Sequence, residues 1–263
     1  MEHGGTVMDR LHPEWANLRI ADRPAFSATA MDGGQIHQSI FALTGPSSHA
    51  LPFEVPTCRL WGVGLLPLGW AKFTGVAAFD LANKVCDGMT HPDGAVFQPL
   101  AQSLFGPEPD EEAELARITD YFRARLASAP KDDARVLRLH TALIDPQVAS
   151  VADLAEATQS SGRTVERLCK QAFGFAPKML LRRQRFIRSL AQFMLDPSLK
   201  WIGAMDSHYH DQAHFLRDFR EFMGMTPGQY ARMDHPVMGA FVAARAQALG
   251  APMQVLDRPS GGA

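Results

Sequence analysis

The chain has 263 residues, 46% of them hydrophobic and 21% charged, with a formal net charge of −2. That apolar content can fill a core, which excludes a solvated disordered chain or a fibre, and the length suits two domains. The first residues lack an apolar signal region, no clean run of roughly 20 apolar residues occurs, and Cys58, Cys86 and Cys169 are odd in number and scattered, so a cytoplasmic protein with reduced thiols is expected.

Across residues 1–107, Gly and Pro recur every few positions, and apolar runs at 36–43 and 60–68 lie between turn signals, which predicts strands. Within 75–85, Val76, Phe79 and Asn83 fall at helical spacing, and a short helix is expected there. From Pro107 the texture changes. Glu111, Glu112 and Glu114 make an acid-rich first turn, and Leu115, Ile118, Phe122 and Leu126 follow at spacings of three and four. This predicts an amphipathic helix to about residue 129, its acids complementing the helix dipole and its stripe packing on its own domain or on a second copy. Residues 129–133 read as a linker, 134–143 as a short helix stopped by Asp145-Pro146, and 148–233 as helical. After Pro236, an Ala-rich helix over 238–249 and a flexible Gly/Pro/Ser end are expected.

The near-neutral total hides an asymmetry. Residues 131–235 carry +3 and the remainder −5, and residues 163–188 hold eight basic side chains against Glu166 alone. Residues 165–177 also align without gaps on 215–227: Arg167 with Arg217, Gly174 with Gly224, Pro177 with Pro227, and apolar pairs Val165/Phe215, Cys169/Phe219 and Phe175/Met225. Each copy has an N-cap type (Ser161, Asp211), a helix of about 12 residues, a glycine stop and a proline that opens the next helix. A small-residue helix and a tight turn precede each, which makes two helix-turn-helix units. Arg163, Thr164 and Glu166 in the first copy and Gln212 and His214 in the second are residue types that read base edges. A connecting helix over 178–195 would separate the units by roughly 27 Å, near the ~34 Å repeat of the major groove.

Residues 150–232 resemble the DNA-binding domain of the AraC/XylS family of transcriptional regulators. The resemblance rests on Leu154-Ala155, Ser161, Arg163-Thr164, Arg167, Gly174, Pro177, Arg185-Phe186, Ala204, Tyr209, Asp211-Gln212, His214-Phe215, Arg217, Phe219-Arg220, Gly224, Pro227 and Tyr230. It implies sequence-specific binding of double-stranded DNA. Arg163, Thr164, Arg167, Gln212 and His214 would face the major groove, and Ser161, Lys178, Arg182, Arg183, Arg185 and Arg217 would face phosphates. Two residues depart from the family pattern: His208 stands where a turn glycine is usual, with strain expected if its φ is positive, and Cys169 stands where phenylalanine is usual. These departures motivate a rival reading, a protein-interaction adaptor that no longer binds DNA.

The expected fold is α+β. A β-rich sensor or assembly domain (1–130) is followed by a linker and short helix (131–144), an all-α domain of two helix-turn-helix units joined by a connecting helix (145–235), and the tail (236–263). The N-terminal part faintly resembles the β-rich domains of some of these regulators, with His49, Trp61, Phe73 and Phe79 as residues of an effector pocket. A small-molecule effector, a homodimer and RNA polymerase are the further partners the resemblance suggests, in a bacterial, non-membrane setting. No catalytic function, cofactor or metal is expected. His208, His210 and His214 cluster, but no CxxC or HExxH motif accompanies them. Gly62-Val63-Gly64 lacks the third glycine of a dinucleotide fingerprint.

Overall fold

The computed structural model describes residues 5–130 and 133–259, so Lys131 and Asp132 of the expected linker lie outside it. Eight strands open the chain: β1 (Val7–Leu11), β2 (Ala16–Ala21), β3 (Phe26–Thr29), β4 (Gln35–Ser39), β5 (Phe41–Thr44), β6 (Leu51–Val55), β7 (Leu60–Leu65) and β8 (Val85–Asp87). They form two antiparallel sheets, ordered β1-β6-β3-β4 and β7-β2-β5-β8. The apolar run at 36–43 is therefore two strands in different sheets, with Gln38 at a positive φ of 47° near the break. The run at 60–68 stops as a strand at Leu65 because Pro67 cannot donate to a ladder, and its fixed φ suits the first position of helix α1 (Pro67–Phe73). The helix expected over 75–85 is only a 3-10 turn, Ala78–Leu81, followed by β8.

Period-two alternation divides the second sheet. On one face Leu18, Ile20, Phe41, Leu43 and Leu65 bury against α1, α2 (Gln98–Ser103) and α3 (Glu111–Leu126), which contribute Trp70, Leu100 and Ile118. On α3, Phe122 packs on this core, while Leu115 and Leu126 are exposed. Glu114 does more than complement a dipole: it is 2% exposed, pairs with Arg59 at 2.7 Å and accepts from Trp61 Nε1 at 2.6 Å.

The helical half follows as α4 (Ala134–Ile144), α5 (Val151–Ala157), α6 (Gly162–Phe173), α7 (Pro177–Leu195), α8 (Lys200–Ala204), α9 (Gln212–Met223), α10 (Pro227–Tyr230) and α11 (Met238–Leu249). Local chemistry sets these limits. Ser150 and Asp153 form a capping box on α5, Gly174 (φ 84°) and Gly224 (φ 69°) end α6 and α9 in the left-handed region, and Pro177 and Pro227 open the helices after them. The repeated apolar positions, among them Val165, Cys169, Phe173, Phe215 and Phe219, fill one core with Leu180, Phe186 and Leu190 of α7.

That core crosses into the β half. Trp15 lies edge-on to Phe173 and His140, the Ala50 amide donates to Phe222 O at 2.7 Å, and His12 Nε2 meets Tyr230 Oη at 2.7 Å. The end expected to be flexible returns to this seam: Met253, Gln254 and Val255 are buried, Gln254 Oε1 accepts from Trp15 N and Asn17 Nδ2, and Val255 O accepts from Gln184 Nε2 at 2.8 Å. The Gly/Pro/Ser composition hid two apolar side chains, Met253 and Val255, whose burial favours ordering of the tail. Residues 260–263 lie outside the described residues.

Candidate nucleic-acid interface and a cavity under the C-terminal segment

The two reading helices are held from their N-termini. Ser161 Oγ accepts from Thr164 N at 3.2 Å and Asp211 Oδ1 from His214 N at 2.6 Å, which fixes the entry of α6 and α9. Arg163, Arg167 and Gln212 are exposed and Thr164 half-buried, so the first turns present polar side chains to solvent. Arg167 also donates to Gln171 one turn on, at 3.1 Å. The 19 residues of α7 make about 28 Å of helix, but α9 packs back along its first half, with Asp218 at Arg182 and His214 at Arg185, so the spacing of the units is not the length of α7.

Lys178, Arg182, Arg185 and Arg217 converge on one groove between α7 and α9, beside the N-terminus of α5 at Ser150 and Val151. His214 borders it as well, but its ring turns inward, 3.2 Å from Arg185 Nη2 and edge-on to Tyr209. Burial, and then the Arg185 charge, hold its pKa below the usual histidine value. The hub of the groove is Asp218, 1% exposed. One carboxylate oxygen accepts from Arg182 at 2.6 Å, and the other from Tyr209 Oη at 3.1 Å and Arg185 at 3.4 Å. Glu221 accepts from the same Arg182 Nη2 at 2.6 Å, and the Arg182 pKa is raised by its bonds to the two carboxylates.

Sequence reasoning missed Asp218, yet a signal was available. In the repeat it aligns with Leu168, a core residue of the first unit. An acid at a core position demands buried partners, and two arginines of the connecting helix supply them.

Arg183 does not belong with the phosphate-facing residues. It is 0% exposed, donates to Ser47 O at 3.0 Å and Glu14 O at 3.4 Å, and lies 3.9 Å from the centre of the Trp15 ring. It occupies the buried face of α7, next to Arg182 in sequence but turned away from the groove, so burial lowers its pKa and it joins the two halves instead of meeting DNA. Of the two departures, His208 does not have a positive φ; its amide donates to Asp206 Oδ1 at 3.0 Å, so the expected strain is absent. Cys169 is fully buried, with its thiol pushed up to about 12 by desolvation, as a small core side chain. His210 stacks on His214 at 6.1 Å, and no group of three His, Cys, Asp or Glu suited to a metal occurs among the described residues.

The expected pocket residues do not come together. Trp61 is tied to Glu114, Phe73 packs on Phe122, Phe79 is 59% exposed, and His49 lies near Phe222. A cavity of about 350 Å³ opens instead on the opposite face of the sheet. Leu60, Gly62 and Gly64 of β7 and Asn17 and Arg19 of β2 border it, with Leu11, Phe26, Phe53 and Val55 from the other sheet. His12, Pro13 and Glu14 border it as well, and its remaining wall is C-terminal: Val237, Met238, Phe241, Val242, Arg245 and residues 252–254. A Cβ at Gly64 would come within 2.2 Å of Gln254 Nε2, so glycine there lets the tail approach the sheet.

A family model described as a helix-turn-helix domain matches residues 154–233. No curated protein matches the chain. Among solved structures, ToxT from Vibrio cholerae is similar at 11% identity, covering 86% of this chain and 97% of that one, with a TM-score of 0.46. A second ToxT structure, from Vibrio cholerae O395, gives 12% identity, 86% and 96% coverage and a TM-score of 0.45. A third contains ToxT bound to (E)-4-(8-methylnaphthalen-1-yl)but-3-enoic acid, at 11% identity, 86% and 97% coverage and a TM-score of 0.46.

Proposed function

We infer that this chain, whose residues 154–233 match a helix-turn-helix domain, is a regulator of the AraC type that works as a sequence-specific transcription factor on double-stranded DNA. The observation that carries the reading is the pair of capped helices with exposed polar first turns, joined through α7 beside a groove rich in arginine. Arg163, Thr164, Arg167 and Gln212 read base edges. Lys178 and Arg217, with Ser161 at the α6 N-terminus, meet phosphates, and Arg182 and Arg185 add positive potential while holding Asp218.

The cavity beneath the C-terminal segment is the input site of the same reading, with a small molecule as effector. Gln254 faces the cavity and its neighbour Val255 holds Gln184 of α7, so a molecule that shifts this short turn shifts the connecting helix. Residues 1–130 then act as the sensor and 145–235 as the promoter-binding module, with 236–259 joining them. A homodimer through α3 is supported by the exposed Leu115 and Leu126, and RNA polymerase is the partner such a regulator would engage at a promoter. No described helix is long and apolar enough to cross a membrane, and a cytoplasmic location is proposed.

The test uses a duplex selected from a random pool for binding to the full chain. Arg163→Ala and Gln212→Ala should each weaken binding to the selected duplex by roughly 1–3 kcal/mol while leaving a scrambled duplex unchanged. Equal losses on both duplexes would remove the base-reading roles.

A further inference from the structure

We propose that the cavity under the C-terminal segment takes a neutral, mainly apolar molecule bearing a hydroxyl-type oxygen, and rejects carboxylates and ammonium ions of the same shape. The proposal rests on the reading of this cavity as the effector site. Its walls are largely aliphatic and aromatic, including Leu11, Phe26, Phe53, Val55, Phe241 and Val242, and its volume is at the lower end of small-molecule sites, roughly 300–1,000 Å³.

The charges at the cavity are already matched. Arg19 holds Glu14 at 2.6 Å and also donates to Thr44 Oγ1 at 3.1 Å, while Arg245 reaches both oxygens of Asp257 at 2.6 Å. Arginine does not give up its proton, and although burial raises the Glu14 and Asp257 carboxyls, the arginine bonded to each opposes that shift and keeps the charges matched. An incoming carboxylate would have to strip Glu14 from Arg19 or Asp257 from Arg245, which leaves a displaced acid in a poorly solvated place. An ammonium ion would displace an arginine in the same way. Either exchange trades a formed ion pair for a buried uncompensated charge.

Hydrogen-bonding capacity is left over in neutral form. His12 borders the cavity, is 4% exposed, and uses Nε2 on Tyr230 Oη; its Nδ1 is buried without a partner among the described residues. Arg245 Nε, also at the cavity, is likewise unpartnered. A hydroxyl group matches either one, since it can accept from Arg245 Nε and can donate to or accept from His12 Nδ1, whichever tautomer Tyr230 selects.

Three probes with one apolar body separate the outcomes: para-phenylbenzyl alcohol, para-phenylbenzoate and para-phenylbenzylammonium, titrated calorimetrically into the full chain at neutral pH. The alcohol should bind at least ~10-fold more tightly than either ion. Gly62→Leu should abolish alcohol binding, because a Cβ at Gly62 meets nothing within 4 Å and a larger side chain would enter the cavity. Duplex binding and cooperative melting should survive in that variant, which separates a filled cavity from a misfolded chain. Equal or tighter binding of an ion that Gly62→Leu still abolishes would overturn the ligand class and leave the cavity as the effector site. Binding of none of the three, or alcohol binding indifferent to Gly62→Leu, would overturn the site along with the class.

Discussion

Asp218→Ala is expected to lower unfolding stability by about 3–5 kcal/mol, the cost of breaking a buried ion pair from one side. The variant removes one of the two 2.6 Å carboxylate contacts of Arg182 and the 3.4 Å partner of Arg185, and removes the acceptor of Tyr209 Oη. Arg182 keeps Glu221, but that acid is exposed and pairs at higher dielectric, where an ion pair contributes much less. The loss falls on the joint between α7 and α9, so the second reading helix should lose its orientation before the β half melts. Chemical denaturation followed separately by tryptophan fluorescence and by duplex affinity checks this. Asp218→Asn, which retains one acceptor oxygen, should lie between the two, and a loss below about 1 kcal/mol in Asp218→Ala would contradict the hub role.

Acidification is expected to destabilise the seam between the halves by an amount of similar size. The pKa of His12 is lowered to about 4, chiefly by burial, with His235 adding to the shift and Asp9 opposing it. That of His140, edge-on to Trp15 and Phe173, is also lowered to about 4, by burial and then by the Arg183 charge. Both rings are therefore neutral in the folded chain over a range where the unfolded chain, with histidine near 6.5, is protonated. Between pH 6.5 and 4 the unfolded state binds more protons, so stability rises with pH across that window and is lost as pH falls through it. Each shift corresponds to on the order of 3 kcal/mol. The urea midpoint should drop steeply between pH 7 and 4.5, and His140→Phe, which keeps an aromatic ring and removes the proton site, should flatten that drop by about half. An unchanged pH slope in His140→Phe would rule out His140 as a source.

The helical half was legible because its signals are local and repeated: caps at Ser161 and Asp211, glycine stops at Gly174 and Gly224, prolines at Pro177 and Pro227. Each follows from backbone chemistry within a few residues. The β half was legible as strands but not as two sheets, because the change of sheet near Ile40 depends on which partners the strands find, and pairing is non-local. The basic cluster at 163–188 was visible as charge, but charge does not tell which way a helix faces. Arg182 and Arg183 are adjacent in sequence, and the helical turn sends one to the groove and the other into the seam. The cavity was missed for a related reason. The expected residues Trp61, Phe73 and Phe79 lie elsewhere, and the cavity forms beside Gly62 and Gly64, where side chains are absent, under a tail whose composition signals mobility.

The central claim is that the chain binds duplex DNA through these two units, and the salt dependence of that binding tests it most directly. Affinity of the full chain for a selected duplex and for a scrambled one should be measured from low to physiological salt. The account predicts that log K falls linearly with log salt for both, with a slope of roughly −0.9 for each phosphate neutralised, and that the selected duplex stays about 10³-fold or more tighter. No salt-dependent binding to either duplex would contradict it.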